Sequence, residues 1–199
     1  MTEGETFRDE DWYGEDFVNR TYTKCAFHDV DMTEIVNRGS VFEECTFGNV
    51  RFNASKHVGA AFVGCVFQRC NFFDAEFEDC KLVGSSFKES VLRPMRVTRG
   101  DWSFAALAGM DLRGSSFRDL RMREVDLTGA NCEKVVFLDV DLTSAQTRRA
   151  NFNRADLRGS TLSGLDPVNV DLTGAVIEPE QAIVLAQALG LEVRAPRKG

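Results

Sequence analysis

Proline, tryptophan, tyrosine and histidine are scarce in this chain, at 4, 2, 2 and 2 of 199 residues. Positive charge is also short. Lys and Arg number 24 against 31 Asp and Glu, giving a net charge of −7. That balance excludes the basic footprint of a general nucleic-acid binder. No run approaches the roughly 18 apolar residues of a membrane-spanning helix, and Met1–Glu5 is acidic without the apolar stretch of a secretory signal. The expectation is a soluble cytoplasmic protein. No G-x-S-x-G, phosphate loop, dinucleotide fingerprint, H-E-x-x-H or C-x-x-C is present, so neither an enzyme, a cofactor nor a metal site is expected.

Phenylalanine is abundant, with 16 copies, and its placement is periodic. From Phe7 to Ile177 in steps of five there are 35 positions, of which 31 are large apolar residues or Cys132, and 14 of the 16 phenylalanines fall there. The exceptions are Asn37, His57, Thr147 and Pro167. Two residues earlier in each block, the 31 positions from Cys25 to Ala175 are all small or apolar and none is charged. A period of five is neither helical nor simply extended. Each block buries a small and a large side chain in a short extended segment, and the remaining residues, often ending in Gly, Asp or Asn, turn a corner. One block cannot bury its apolar pair alone and must stack on copies of itself.

The frame absorbs the residues that would otherwise suggest chemistry. Cys25, Cys45, Cys65, Cys70 and Cys80 hold small inward positions and Cys132 a large one, which suits buried thiols used as small apolar groups. Cys25, Cys45 and Cys65 are each 20 apart and are expected to stack in one column. His28 points outward. His57 points inward with Asn37 twenty residues before it, so the two are expected to pair by a hydrogen bond.

The blocks MDLRG, VDLTG, ANFNR and ADLRG resemble the pentapeptide-repeat family, whose consensus is A(D/N)LXX. The resemblance implies an all-β right-handed quadrilateral parallel β-helix with four blocks per coil. Roughly nine coils would make a rod about 40 Å long at the usual strand spacing. Residues 1–20 are expected to form a frayed or differently packed first coil, since Glu5, Glu10, Glu15 and Arg20 break the small-position rule. Residues 21–178 form the β-helix, 179–193 a C-terminal helix and short strand, and 194–199 a loose basic tail. The helix signal is Pro179 among acids at the start and Gly190 at the end. Its apolar arc is too wide for one buried face, so Ile183, Val184, Leu185 and Leu189 are expected to cover the last coil and join a second copy.

Within the family the chain is most similar to the gyrase-interacting branch, the Mfp-type and Qnr-type fluoroquinolone-resistance proteins. The similarity lies in Asn37–Phe47, Leu92–Met95, Gly109–Gly114 and the segment from Glu180 to Leu191. It implies a homodimeric, acidic, DNA-mimicking rod that binds DNA gyrase as a protein partner, without binding nucleic acid directly. Carboxylates would stand where phosphates lie. Candidates are the dense run Asp74, Glu76, Glu78 and Asp79, with Glu10, Asp11, Glu15 and Asp16 in the first coil. A competing expectation is a scaffolding rod whose partner docks on the smooth strip of Val41, Ala61, Val63 and Val83.

Overall fold

The computed structural model describes residues 1–194. The chain winds as a square parallel solenoid in which residue i lies under residue i+20. One wall stacks Tyr22, Phe42 and Phe62 above Thr2. A second stacks Phe7, Phe27, Phe47, Phe67 and Phe87. A third runs Phe17, Asn37, His57, Phe77, Val97, Phe117 and Phe137. The fourth is held by single bridges, from Asp11↔Asp31 through Asn71↔Val91 and on to Asn151↔Asp171.

The interior is a ladder of aromatic rings. Phe27 and Phe47 stack with centroids 4.7 Å apart, as do Phe42 with Phe62 and Phe52 with Phe72. That separation is the ordinary spacing between strands, so each ring lies flat on the one below. Rings from adjacent walls meet edge to face, as Phe42 and Phe47 do at 63°.

Block chemistry decides the local form. The three-residue strands mostly carry Thr, Val, Ala or Ser before the large residue, as at Thr21–Thr23, Val41–Glu43 and Ser116–Arg118, although Val91 and Ala106 form single bridges only. Where Asp or Asn precedes it, Asp16 excepted, the side chain typically accepts the N–H two residues on and closes a turn. Asp31, Asp126, Asp141 and Asp171 do this for Thr33, Thr128, Thr143 and Thr173 at 2.9–3.0 Å. The corner residue that follows is left-handed from Gly4 to Gly159, Pro94 excepted, with Asp29, Asn49 and Arg69 near φ +55°. Two strands, Glu76–Lys81 and Arg96–Asp101, keep their pairing through the corner, where Asp79 and Arg99 are left-handed. There Gly100, at φ +110°, lies so close to the Cys80 carbonyl that a Cβ would collide with it.

The inward Cys and Ser residues are more than space-fillers. Most of them donate to a carbonyl 23 residues back, among them Cys45 to Tyr22 O at 3.5 Å, Cys65 to Phe42 O at 3.3 Å and Ser85 to Phe62 O at 2.8 Å. All six thiols are free and buried. Burial pushes Cys80 up to about 11 and Cys70 up to about 12.

Two expectations change at the ends. The first coil is not frayed, because Thr2–Glu3, Thr6–Arg8 and Asp16–Val18 all pair with the coil above. Its charged small-position residues Glu5, Glu10 and Glu15 are exposed. The strand-bearing part ends at Leu138, making about seven turns rather than nine. Beyond it Asx turns replace strands, and bridges alone carry the register to Asp156↔Val176.

Helix α1 spans Pro179–Ala188. Gln181 is its anchor. The side-chain oxygen accepts Glu178 N–H at 2.7 Å, and Nε2 donates to Leu157 O at 2.7 Å and Ser160 O at 2.6 Å. These bonds close the open carbonyl edge of the last coils. No strand forms at Leu191–Val193. Arg194 pairs with Glu192 at 2.6 Å, and the remainder of the expected basic tail, 195–199, lies outside the described residues.

Candidate functional site

The acidic run Asp74–Asp79 begins at a left-handed corner and continues into the strand Glu76–Lys81, so its four carboxylates fan outward over two neighbouring walls. None of the four stands alone. Arg96 Nη2 reaches Asp74 at 2.9 Å and Glu76 at 2.7 Å, and Lys56 approaches Glu76 at 3.9 Å. Arg99 reaches Glu78 at 2.5 Å and grips Asp79 with two bonds of 2.7 and 2.8 Å. Arg99 thereby holds the Asp79 carboxyl below the usual carboxylate range. Four acids facing three cations leave a net charge of −1. A shallow depression of 270 Å³ opens among Glu76, Phe77, Glu78, Arg96 and Thr98.

The sequence contained the signal for this compensation. Arg96 and Arg99 stand twenty residues after Glu76 and Asp79, the spacing that stacks residues one above the other. Sorting acids by wall, without pairing them along columns, misses it.

In the first coil, Glu15 meets Arg20 at 3.6 Å and Asp16 meets Arg38 at 3.1 Å. Glu10 and Asp11 make no ion pair among the described residues; Asp11 accepts the Tyr13 N–H at 3.1 Å. Residues 1–20 hold seven acids against two bases, so −5 of the −7 total is concentrated at this end. The field is that of a rod with one strongly acidic tip rather than evenly charged walls. Several acids farther along are occupied by turns: the Thr173 N–H bond, for one, holds Asp171 below its ordinary range.

At the other end the helix divides its apolar residues. Leu185 packs on the core and Val184 is half-buried, whereas Ile183 and Leu189 are exposed, together with Leu191 and Val193. On the smooth strip, Val63 is exposed while Val41, Ala61 and Val83 are half-buried. The two phenylalanines outside the five-residue frame, Phe73 and Phe104, are both about half exposed at 51% and 55%. Phe104 sits beside this strip at φ +61°, a conformation that bulky side chains rarely adopt.

His57 and Asn37 lie together in the core, away from both surfaces. Among the described residues no group of three or more His, Cys, Asp or Glu could hold a metal ion, and no helix is long and apolar enough to cross a membrane.

A family model described as pentapeptide repeats matches eight copies, over residues 58–88, 101–131, 121–159 and 150–178, together more than half of the chain. Among solved structures, full-length QnrB1, a plasmid-mediated fluoroquinolone resistance protein, is similar with a TM-score of 0.69 and 18% identity, over 95% of this chain and 99% of that one. Two trypsin-treated variants of the same protein give TM-scores of 0.66 and 0.52 at 18% and 19% identity, each over 98% of this chain and at least 99% of theirs. No curated protein sequence matches the chain.

Proposed function

This chain belongs to the pentapeptide-repeat family, and from that premise we propose that it is a cytoplasmic, non-enzymatic DNA mimic that binds DNA gyrase. In this reading it modulates the topoisomerase or shields it from quinolone-like inhibitors. The observation that carries the proposal is the end-to-end likeness of its solenoid to a fluoroquinolone resistance protein. Electrostatics supports it. Carboxylates fixed on a rigid rod can occupy a cationic DNA groove with little loss of conformational freedom. The exposed partners Arg96 and Arg99 hold Asp74–Asp79 by solvent-screened surface pairs, which a denser cationic surface can displace. Glu10, Asp11, Glu15 and Asp16 supply the more strongly negative end. Ile183 and Leu189, with Val184 and Leu185 behind them, form the seam of a homodimer that places an acidic tip at each extremity.

The test is gyrase affinity at several salt concentrations together with a supercoiling assay. Neutralising Glu10, Asp11, Glu15 and Asp16 to Gln and Asn should weaken binding and flatten its salt dependence. Unchanged affinity and slope, in that variant and in one neutralised at Asp74, Glu76, Glu78 and Asp79, would rule out the mimic. Exposed Phe104 and Val63 favour a second reading, a scaffold that binds a protein through the Val41, Ala61, Val63 and Val83 strip. Binding of that kind is largely insensitive to salt.

A further inference from the structure

Two of the positions that break the frame, Thr147 and Pro167, are successive members of one column, above Phe87, Leu107 and Leu127. In the coil below, the ladder is complete: Leu127 N–H donates to Gln146 O at 2.7 Å, and Gln146 N–H to Val125 O at 2.9 Å. One coil later the rungs stop. Thr161 N–H still reaches Val140 O at 3.0 Å, and pairing resumes at Arg149 N–H to Asn169 O, 2.7 Å, one residue out of register. Between them, among the described residues, the N–H groups of Leu142, Ser144 and Thr147 find no carbonyl in the last coil, and Asp166 N–H does not reach Ala145 O. The cause is local. Thr147 and Pro167 supply no large apolar pair to draw the coils together. Asp166 instead folds its own turn, accepting from Val168 N–H at 3.0 Å and Asn169 Nδ2 at 2.5 Å.

The coils therefore part and leave a slot of 440 Å³, bordered by Thr128, Gln146, Thr147, Arg148, Asp166 and Asn169. We propose that this slot binds a small N-acyl amino acid, an amide joined to a carboxylate. The volume lies within the range of small-molecule sites. Thr147 and Ala145, 6% and 9% exposed, present a backbone donor and a backbone acceptor without partners. Groups so placed need hydrogen bonds, and an amide supplies both the acceptor and the donor of a missing rung. Arg148 is exposed and makes no ion pair among the described residues. It is the one cation bordering the slot, suited to a carboxylate by a charge-assisted, two-pronged contact. This site is independent of the gyrase reading, because it lies away from every acidic residue invoked there.

The experiment titrates N-acetylglycine into the intact protein and follows backbone amide resonances, with acetamide and propionate as half-ligands. Before ligand is added, the Thr147 amide should exchange with solvent far faster than that of Leu127; equal protection would overturn the proposal. N-acetylglycine should shift Thr128, Thr147, Arg148 and Asn169 selectively at millimolar concentration, the affinity available to so few atoms. Each half-ligand should bind about tenfold more weakly, the loss of one good polar contact. Arg148→Gln should weaken N-acetylglycine but leave acetamide unchanged. Thr147→Leu restores the frame residue and should raise Tm while abolishing the shifts. Absence of selective shifts up to about 50 mM, or shifts that persist in both variants, would overturn the site.

Discussion

Asn37 and His57 occupy directly stacked positions, and Asn37 Nδ2 donates to His57 Nδ1 at 3.2 Å. The rest of the contact fixes the imidazole tautomer. Ser55 Oγ gives its proton to Phe52 O at 2.7 Å, so at 3.0 Å it accepts from His57 Nε2. The ring is therefore neutral with its proton on Nε2, and it stacks on Phe77 at 4.6 Å as a phenyl group does elsewhere in the ladder.

Burial pushes His57 down to about 3. Its unfolded value is near 6.5, so the unfolded chain binds the extra proton first as pH falls. The contribution is complete above about pH 6.5 and is lost progressively as pH falls toward 3. At pH 4.5 the loss should be about 2–3 kcal/mol relative to neutral pH. Urea denaturation at pH 7 and pH 4.5 measures it, and the double variant His57→Phe with Asn37→Leu should remove most of the difference.

Gly100→Ala should destabilise severely, by more than about 3 kcal/mol, because the added methyl meets the Cys80 backbone rather than a movable side chain. Gly129→Ala is the control. Its Cβ meets nothing, and only the positive φ is strained, at about 1–2 kcal/mol. Equal costs in chemical denaturation would show that the backbones at Cys80 and Gly100 can move apart.

Ile183→Asp or Leu189→Asp should leave the melting curve nearly unchanged, since outward substitutions usually move stability by less than about 0.5 kcal/mol. Light scattering should show monomers where the parent chain is dimeric. Leu185→Asp should instead loosen the helix from the last coil and lower Tm. A monomeric parent at micromolar concentration would remove the dimer seam.

Arg96→Gln together with Arg99→Gln releases Asp74, Glu76, Glu78 and Asp79 from their ion pairs. If gyrase reads these carboxylates, the double variant should bind more tightly at low salt. Its affinity should also fall more steeply with salt, by up to about three units in the logarithmic slope. An affinity below that of the parent would mean that the arginines themselves make the contact.

Much of this structure was legible in the five-residue frame. The inward phenylalanines, the Asn37–His57 pair and the free thiols all sit where the periodicity puts them, because burial acts on single positions and repeats with the block. What escaped depends on pairs of positions. Arg96 above Glu76 and Arg99 above Asp79 become visible only when the twenty-residue column is read for charge as well as for apolarity. The thiols and hydroxyls at small positions reach carbonyls one coil back, a role that size alone does not reveal. The parting of the coils above Thr147 follows from two modest exceptions falling in the same column, where either alone would leave a large neighbour to hold the wall.

The stapling of inward Cys and Ser to the preceding coil, and of Gln181 to Leu157, has a bearing on synthesis. No side-chain hydrogen bond among the described residues joins positions more than 24 apart in sequence. A chain closed only by neighbours carries little loop-closure cost. Each coil can settle on its predecessor as soon as its own residues leave the ribosome, with nothing held open for a partner still to be made. The helix follows the last coil, and with it the edge at Leu157 and Ser160 is covered by Gln181.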